Sequence, residues 1–239
     1  MSIPLAIVGA GKMGSLVEQL APALGFEVRA RFDVANIATL SRDSLNEAAI
    51  AIEFTTPAAA PGNLCRLAAL GVNTVCGTTG WYEHLPEVRR AIASASTALV
   101  YAPNFSIGVN LFTETVARAA ALFAQHPEYE AWGWEIHHSA KKDAPSGTLK
   151  KLAEEIRAAG FGGSLTLSTN RAGAHTGTHE IGFDSPADTI TLRHTARSRE
   201  GFARGALLAA RWVHGKKGVY EFREILNELG RPSASSAAR

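Results

Sequence analysis

Fourteen residues, Glu135-Ile136-His137-His138-Ser139-Ala140-Lys141-Lys142-Asp143-Ala144-Pro145-Ser146-Gly147-Thr148, bring together adjacent imidazoles, two ammonium groups and a helix start. Histidine exchanges a proton near neutral pH, its ordinary pKa being about 6.5, so this segment is suited to proton delivery. If residues 132 to 138 form a strand, His137 and His138 point to opposite faces and have different jobs. Lys141 adds a flexible positive charge that can bind a carboxylate or stabilise charge developed during a reaction. Pro145 to Thr148 runs into Leu149, Leu152 and Ile156, the apolar stripe of a helix whose free amides can hold an anion. Each residue has a plainer reading, with Ser146 or Thr148 as the cap and Lys141 or Lys142 as solvated charges. The joint arrangement of His137, His138, Lys141, Gly147 and Thr148 favours an anion pocket with proton chemistry.

A second constellation stands at the amino terminus, where Gly9-Ala10-Gly11-Lys12-Met13-Gly14 follows the apolar run Ile3 to Val8. Met13, Leu16, Val17 and Leu20 then recur at helical spacing. In a strand-turn-helix, Gly9 permits the tight turn, Gly11 admits a pyrophosphate to the backbone, and Gly14 allows close packing of helix on strand. Lys12 and Met13 join the three glycines as cofactor-binding candidates, because free amides at a helix start attract phosphate. Asp33 lies 19 residues beyond Gly14, where a carboxylate can accept ribose hydroxyls and repel a 2'-phosphate. Lys12, Arg29 and Arg31 can offset that charge, so NADH and NADPH both stay open. Gly77-Thr78-Thr79-Gly80 follows another strand and can line the nicotinamide side of a sheet crevice or simply turn. Phe54, in Glu53-Phe54-Thr55-Thr56-Pro57, can pack on a cofactor or serve structure alone.

Two later polar segments are less specific. In Arg171-Ala172-Gly173-Ala174-His175-Thr176-Gly177-Thr178-His179, Arg171 is suited to fix a substrate carboxylate or an internal one. His175 and His179 lack an acidic partner at metal-ligand spacing, so structural or cofactor-domain contacts are the better account and no metal is expected. His194 to Arg199 is basic, but without aromatic interleaving it reads as a hinge or interface.

The chain that positions these groups has 239 residues, 46% apolar and 19% charged, with a formal charge of +2. That composition supports folded cores without disulfides or metals and gives no broad case for nucleic-acid binding. Cys65 and Cys76 fall in no Cys-x-x-Cys pair and read as reduced thiols. No apolar run reaches the roughly 18 to 20 residues needed to span a bilayer, so a soluble cytoplasmic protein is expected.

Strands at Ile3 to Val8, Val28 to Phe32, Ala49 to Thr55, Val72 to Val75 and Thr97 to Tyr101, with helices at 60 to 70 and 84 to 95, predict an α/β, Rossmann-like parallel sheet. The pattern changes near residue 106. A helix over 109 to 124, alternating Trp132, Trp134 and Ile136, a helix from Leu149 to Ala159, and strands at Ser164 to Asn170, Thr178 to Phe183 and Thr189 to His194 predict a second, α+β domain. Helices are expected at 201 to 213 and Glu221 to Leu229, and a loose tail from Arg231.

The ordered combination of Gly9 to Gly14, Glu53 to Pro57, Gly77 to Gly80, Ala102-Pro103-Asn104-Phe105-Ser106, Glu135 to Thr148, Arg171 to Phe183 and His194 to Ala206 resembles the 4-hydroxy-tetrahydrodipicolinate reductase family over nearly the whole chain. The resemblance implies NADH- or NADPH-dependent reduction of a small cyclic dicarboxylate. It makes His137 the general acid, and gives substrate-carboxylate recognition to His138, Lys141, Ser146, Gly147 and Thr148. Lys141 also polarises the substrate. It adds Ala102, Asn104 and Phe105 to the cofactor contacts with Phe54, Gly77, Thr78 and Thr79. It further implies a dinucleotide-binding domain over 1–106, a substrate-binding and tetramerisation domain over 107–199, and helices over 200–239 returning to the first domain. Hinged closure and a homotetramer follow from the same resemblance. A related reductase of another small carboxylate and a nucleotide-responsive binding protein are the competing readings.

Overall fold

The computed structural model describes residues 2–229; the tail expected to be loose lies outside them. The chain divides into two compact units, one made of the residues up to Ser106 with those from Glu200, the other of Ile107–Arg199.

The first unit is built on strands β1 (Ile3–Val8), β2 (Phe26–Phe32), β3 (Ile50–Glu53), β4 (Asn73–Cys76) and β5 (Ala98–Tyr101), joined by α1 (Lys12–Leu20), α2 (Ala60–Ala69) and α3 (Leu85–Ala95). Two later helices, α6 (Glu200–Val213) and α7 (Phe222–Leu229), flank a further strand, β10 (Gly218–Glu221). The sheet order is β10-β5-β4-β3-β1-β2, parallel throughout. Val8 and Ala6 pack with Leu67 of α2, whereas Ile7 lies beneath Gly14 of α1, so period-two alternation puts the two helices on opposite faces. The chain runs from β1 outward to β2 and then back across to β3, which makes the carboxyl ends of β1 and β3 the topological switch point. Strand β10 was not expected: four residues, Gly-Val-Tyr-Glu, carry too little alternation to announce a strand, and pairing with β5 supplies what periodicity lacks.

The second unit contains α4 (Ile107–Phe123), β6 (Glu130–His137), α5 (Gly147–Ala158), β7 (Leu165–Arg171), β8 (Thr178–Asp184) and β9 (Thr189–Thr195). Its sheet has the order β7-β6-β8-β9, with β6 and β7 parallel and the remaining pairs antiparallel. Phe112, Val116 and Ala120 of α4 and Leu149, Leu152 and Ile156 of α5 share one core with Ala131, Ile181 and Phe183. The strand spacing of Trp132, Trp134 and Ile136 holds, but the buried face of β6 is the other one: Ala131, Gly133, Glu135 and His137. Trp132 instead lies over Gly182 of β8, where an added Cβ would stand 2.1 Å from the indole. Among the described residues, no helix is long and apolar enough to cross a membrane.

Candidate active site

In the first unit the three fingerprint glycines have separate reasons to lack a side chain. Gly9 adopts φ +105°, and a Cβ there would sit 2.0 Å from the Phe54 carbonyl oxygen. At Gly14 a Cβ would sit 1.9 Å from the Gly9 carbonyl oxygen, whereas at Gly11 it would meet nothing within 4 Å. Two glycines therefore serve the fold and the third leaves an open approach to the start of α1. No side chain caps that helix, so its first amides, among them those of Lys12 and Met13, point into the approach. These features fit a dinucleotide pyrophosphate.

Asp33 is exposed at the end of β2, with its Oδ1 accepting the Ala35 amide at 2.8 Å. Arg31 pairs with Glu18 at 2.8 Å and Arg29 with Glu27 at 2.9 Å, so two of the three cations considered as offsets to Asp33 have other carboxylates. Lys12 is exposed. The Phe54 ring lies against Gly77, where a Cβ would be 1.9 Å from it. The loop beyond Gly77 is braced from β3: Thr55 donates its amide to the Thr78 hydroxyl at 2.7 Å, and its own hydroxyl to Glu53. Burial, and then Glu53, push the Cys76 thiol well up, and its sulfur lies 3.1 Å from that carboxylate. Thr79 is exposed, whereas Thr78 and Ala102 are buried. Asn104 accepts the Ser106 amide at 2.8 Å, and the buried Phe105 ring packs 4.8 Å from Phe222. The side chains of Thr78 and Phe105 are thus committed within the protein, and the Thr78 carbonyl accepts Trp81 Nε1 at 2.8 Å.

In the second unit, strand register concentrates the ionisable groups. Glu135 and His137 are two apart on β6 and share its buried face. Across the ladders, His137 stands opposite Arg171 of β7, and Glu135 opposite His179 of β8. Glu135 has no exposed surface. Its Oε1 accepts Arg171 Nη2 at 2.9 Å and the Ser146 amide at 2.9 Å, and its Oε2 lies 3.3 Å from His179 Nε2 and 3.7 Å from His137 Nδ1. Burial pushes the Glu135 carboxyl up, but Ser146, Arg171 and His137 together bring it below its usual value. Arg171 also donates to the Asp143 carbonyl, so it serves an internal carboxylate and the internal loop that precedes α5.

The Ser146 hydroxyl accepts the Leu149 amide at 3.1 Å as the cap of α5 and lies 3.2 Å from His179 Nε2. It is 2% exposed, so the hydroxyl is spent on the helix and the network. Gly147 is exposed and Thr148 half-buried beside it. Lys141 donates to both Asp143 oxygens at 2.7 and 2.9 Å. That ammonium, with the amides of Asp143 and Gly147, holds the Asp143 carboxyl below its ordinary value. His138 is half-buried and follows the end of β6, separated in role from the buried His137 as opposite strand faces require.

Sequence reasoning missed the grouping of the buried Glu135, His137 and His179 with the half-buried Arg171. His179 was grouped with His175, which is exposed, yet it lies with its ring 5.0 Å from that of His137. The available signal was parity: Glu135 and His137 share a face, and a ladder partner of either must face the same way. Donor atoms of Glu135, His137 and His179 lie within 4.8 Å of one another. The Arg171 guanidinium already neutralises that carboxylate, which makes the group a charge network in its own right.

The histidines here are held towards neutrality. Burial lowers the pKa of His137, His179 and His194, with His179 brought to about 4 by burial and then by the charge of His137. Below its ordinary value of about 6.5 the unfolded chain protonates His179 and the folded chain does not, so stability falls as pH drops toward the folded value. Urea denaturation is expected to show up to about 3 kcal/mol lost from this residue between pH 7 and 4, at 1.36 kcal/mol per unit. His179→Gln should flatten the decline, and an equal decline in that variant would remove the assignment.

Matches to known proteins now bear on this geometry. Residues 3–105 match the family model described as dihydrodipicolinate reductase, N-terminus, and residues 108–226 match dihydrodipicolinate reductase, C-terminus. A 4-hydroxy-tetrahydrodipicolinate reductase of Christiangramia forsetii is 31% identical, over 94% of this chain and 98% of its own length. One of Methanosarcina barkeri is 32% identical, over 94% and 99%. The structure of a dipicolinate-bound dihydrodipicolinate reductase from Paenisporosarcina sp. TG-14 shares the fold at a TM-score of 0.78 and 24% identity, covering 94% of this chain and all of that one. With both halves matched in order and relatives aligned along their full lengths, the chain belongs to the dihydrodipicolinate reductase family.

Proposed function

We infer that the chain reduces 4-hydroxy-tetrahydrodipicolinate to tetrahydrodipicolinate, the reduction step of this family in diaminopimelate and lysine biosynthesis, with His137 as proton donor. The observation that carries the donor assignment is the placement of His137 at the end of β6, buried beside an ionised Glu135 and next to the Lys141 and α5 segment. A nicotinamide cofactor, when bound, supplies the hydride that reaches C4 of the substrate with loss of water. The chain's residues do the rest. Lys141 and the amides of Gly147 and Thr148 hold a substrate carboxylate, His138 adds a second contact, and His137 protonates the product-side enamine. Because His137 acts as an acid and its pKa is lowered, the rate rises as pH falls toward that value.

NADH is the favoured cofactor, supported by Asp33 at the end of β2 and by the pairing of Arg29 and Arg31 with other carboxylates. The assembly is a homotetramer, a reading supported by Trp132 and Trp134, which lie half-buried on the face of β6 opposite the core-facing one. The setting is cytoplasmic, in keeping with free Cys65 and Cys76. The test offers synthase-generated substrate with each cofactor separately and follows its oxidation. Turnover is expected with both and a higher kcat/KM with NADH, and Asp33→Ala should narrow the gap by about tenfold, near 1.4 kcal/mol of repulsion removed. No substrate-dependent oxidation with either cofactor, in folded protein that binds them, would reject the enzyme.

A further inference from the structure

We propose that Glu135 is the positioning residue of the proton donor: its buried carboxylate fixes the His137 ring and ties that ring to the start of α5. The inference rests on His137 being the donor. Glu135 does not touch substrate in this scheme, because it has no exposed surface: its Oε1 accepts the Ser146 amide and Arg171, and its Oε2 is buried facing His137 and His179. It acts through what it holds.

The ring of His137 is confined on two sides. Its Nδ1 faces Glu135 Oε2 at 3.7 Å, an ion-pair distance, while its Nε2 edge faces Gly177, where a Cβ would approach to 3.0 Å. Gly177 adopts φ +134°, so the backbone that abuts the ring is one that a side chain would disturb twice over. The same carboxylate accepts the Ser146 amide at 2.9 Å, so a single group sets both the donor and the cap residue of the helix whose first amides receive the substrate. Proton donor and anion seat are therefore referenced to one buried atom pair, the kind of fixed geometry that lets a transfer step proceed without reorganisation.

Charge points the same way. Facing His137 are Arg171 from β7, His179 from β8, and Lys141 and Asp143 from the loop before α5; His194 of β9 stands behind His179. Burial, Lys141 and Arg171 lower the proton affinity of the ring, and Glu135 and Asp143 raise it. Asp143 is half exposed and bound to Lys141, so Glu135 is the buried charge that keeps the imidazolium within reach.

Glu135→Gln keeps an oxygen for the Ser146 amide and removes the charge. NMR titration should show the His137 midpoint falling by about tenfold or more in proton affinity, the effect of losing an opposite charge a few ångströms away. The alkaline limb of the kcat profile should move to lower pH by the same factor, with KM unchanged and kcat recovering as pH is lowered. An unchanged His137 midpoint overturns the inference. A lowered midpoint with an unmoved kcat profile leaves the contact and overturns His137 as donor, so the two readings fail separately. If Glu135→Gln does not fold, Arg171→Met removes the competing cation and should raise the His137 midpoint; no rise, or a fall, again overturns the inference.

Discussion

His137→Gln is expected to lower kcat by about 100- to 10,000-fold, the range that a positioned general acid contributes. Glutamine approximates the reach of the ring and offers hydrogen bonds but has no proton to give near neutral pH. Cofactor affinity should be unchanged, because the glycine-rich site lies in the other unit. Substrate affinity should change by only a few-fold, since Lys141 and the α5 start remain. The residual rate should also lose the pH dependence that the histidine imposes. Steady-state kinetics over pH, with product quantified directly, check both parts. Full turnover with the wild-type profile would end the assignment.

The second large effect separates two glycines that a motif treats alike. Gly9→Ala places a methyl group 2.0 Å from a backbone oxygen at φ +105°, where neither atom can rotate away. A loss of about 4 kcal/mol or more is expected, enough to unfold a marginal domain. Gly11→Ala meets nothing within 4 Å, so its melting temperature should stay near that of the wild type. Its methyl group stands where phosphate must approach, and losing one charge-assisted hydrogen bond, about 1.5–3 kcal/mol, weakens the cofactor tenfold or more. Thermal melts and cofactor titration of both variants decide the matter. A Gly11→Ala protein with unaltered affinity would remove the pyrophosphate from this loop.

The parallel sheet was legible because β1, β3, β4 and β5 are buried along most of their length and read as apolar runs between helical stripes. Ile3–Val8 is found with the bounds its sequence suggests. Strand β10 was not legible, since four residues at a sheet edge owe their conformation to β5. The chemistry of the second unit was half legible. His137, Lys141 and the Ser146 helix start announce themselves because their types and spacing are local. Arg171 was recognised as suited to a carboxylate, but Glu135 and His179 were not joined to it. Their meeting depends on the register of three strands, and β6 advertises its tryptophans while burying its charges.

The ion pair between Lys141 and Asp143 gives the anion seat a tenant. A carboxylate from the chain itself already lies against the ammonium and the Gly147 amide that opens α5. A substrate carboxylate held as proposed would therefore trade places with a like charge instead of neutralising a bare cationic pocket. The free energy of that trade is a difference between two similar ion pairs, small whichever way it falls. Charge alone then recommends no anion over another, and the preference for one ligand is left to the rest of its shape: the ring, and the second carboxylate that Asp143 does not possess.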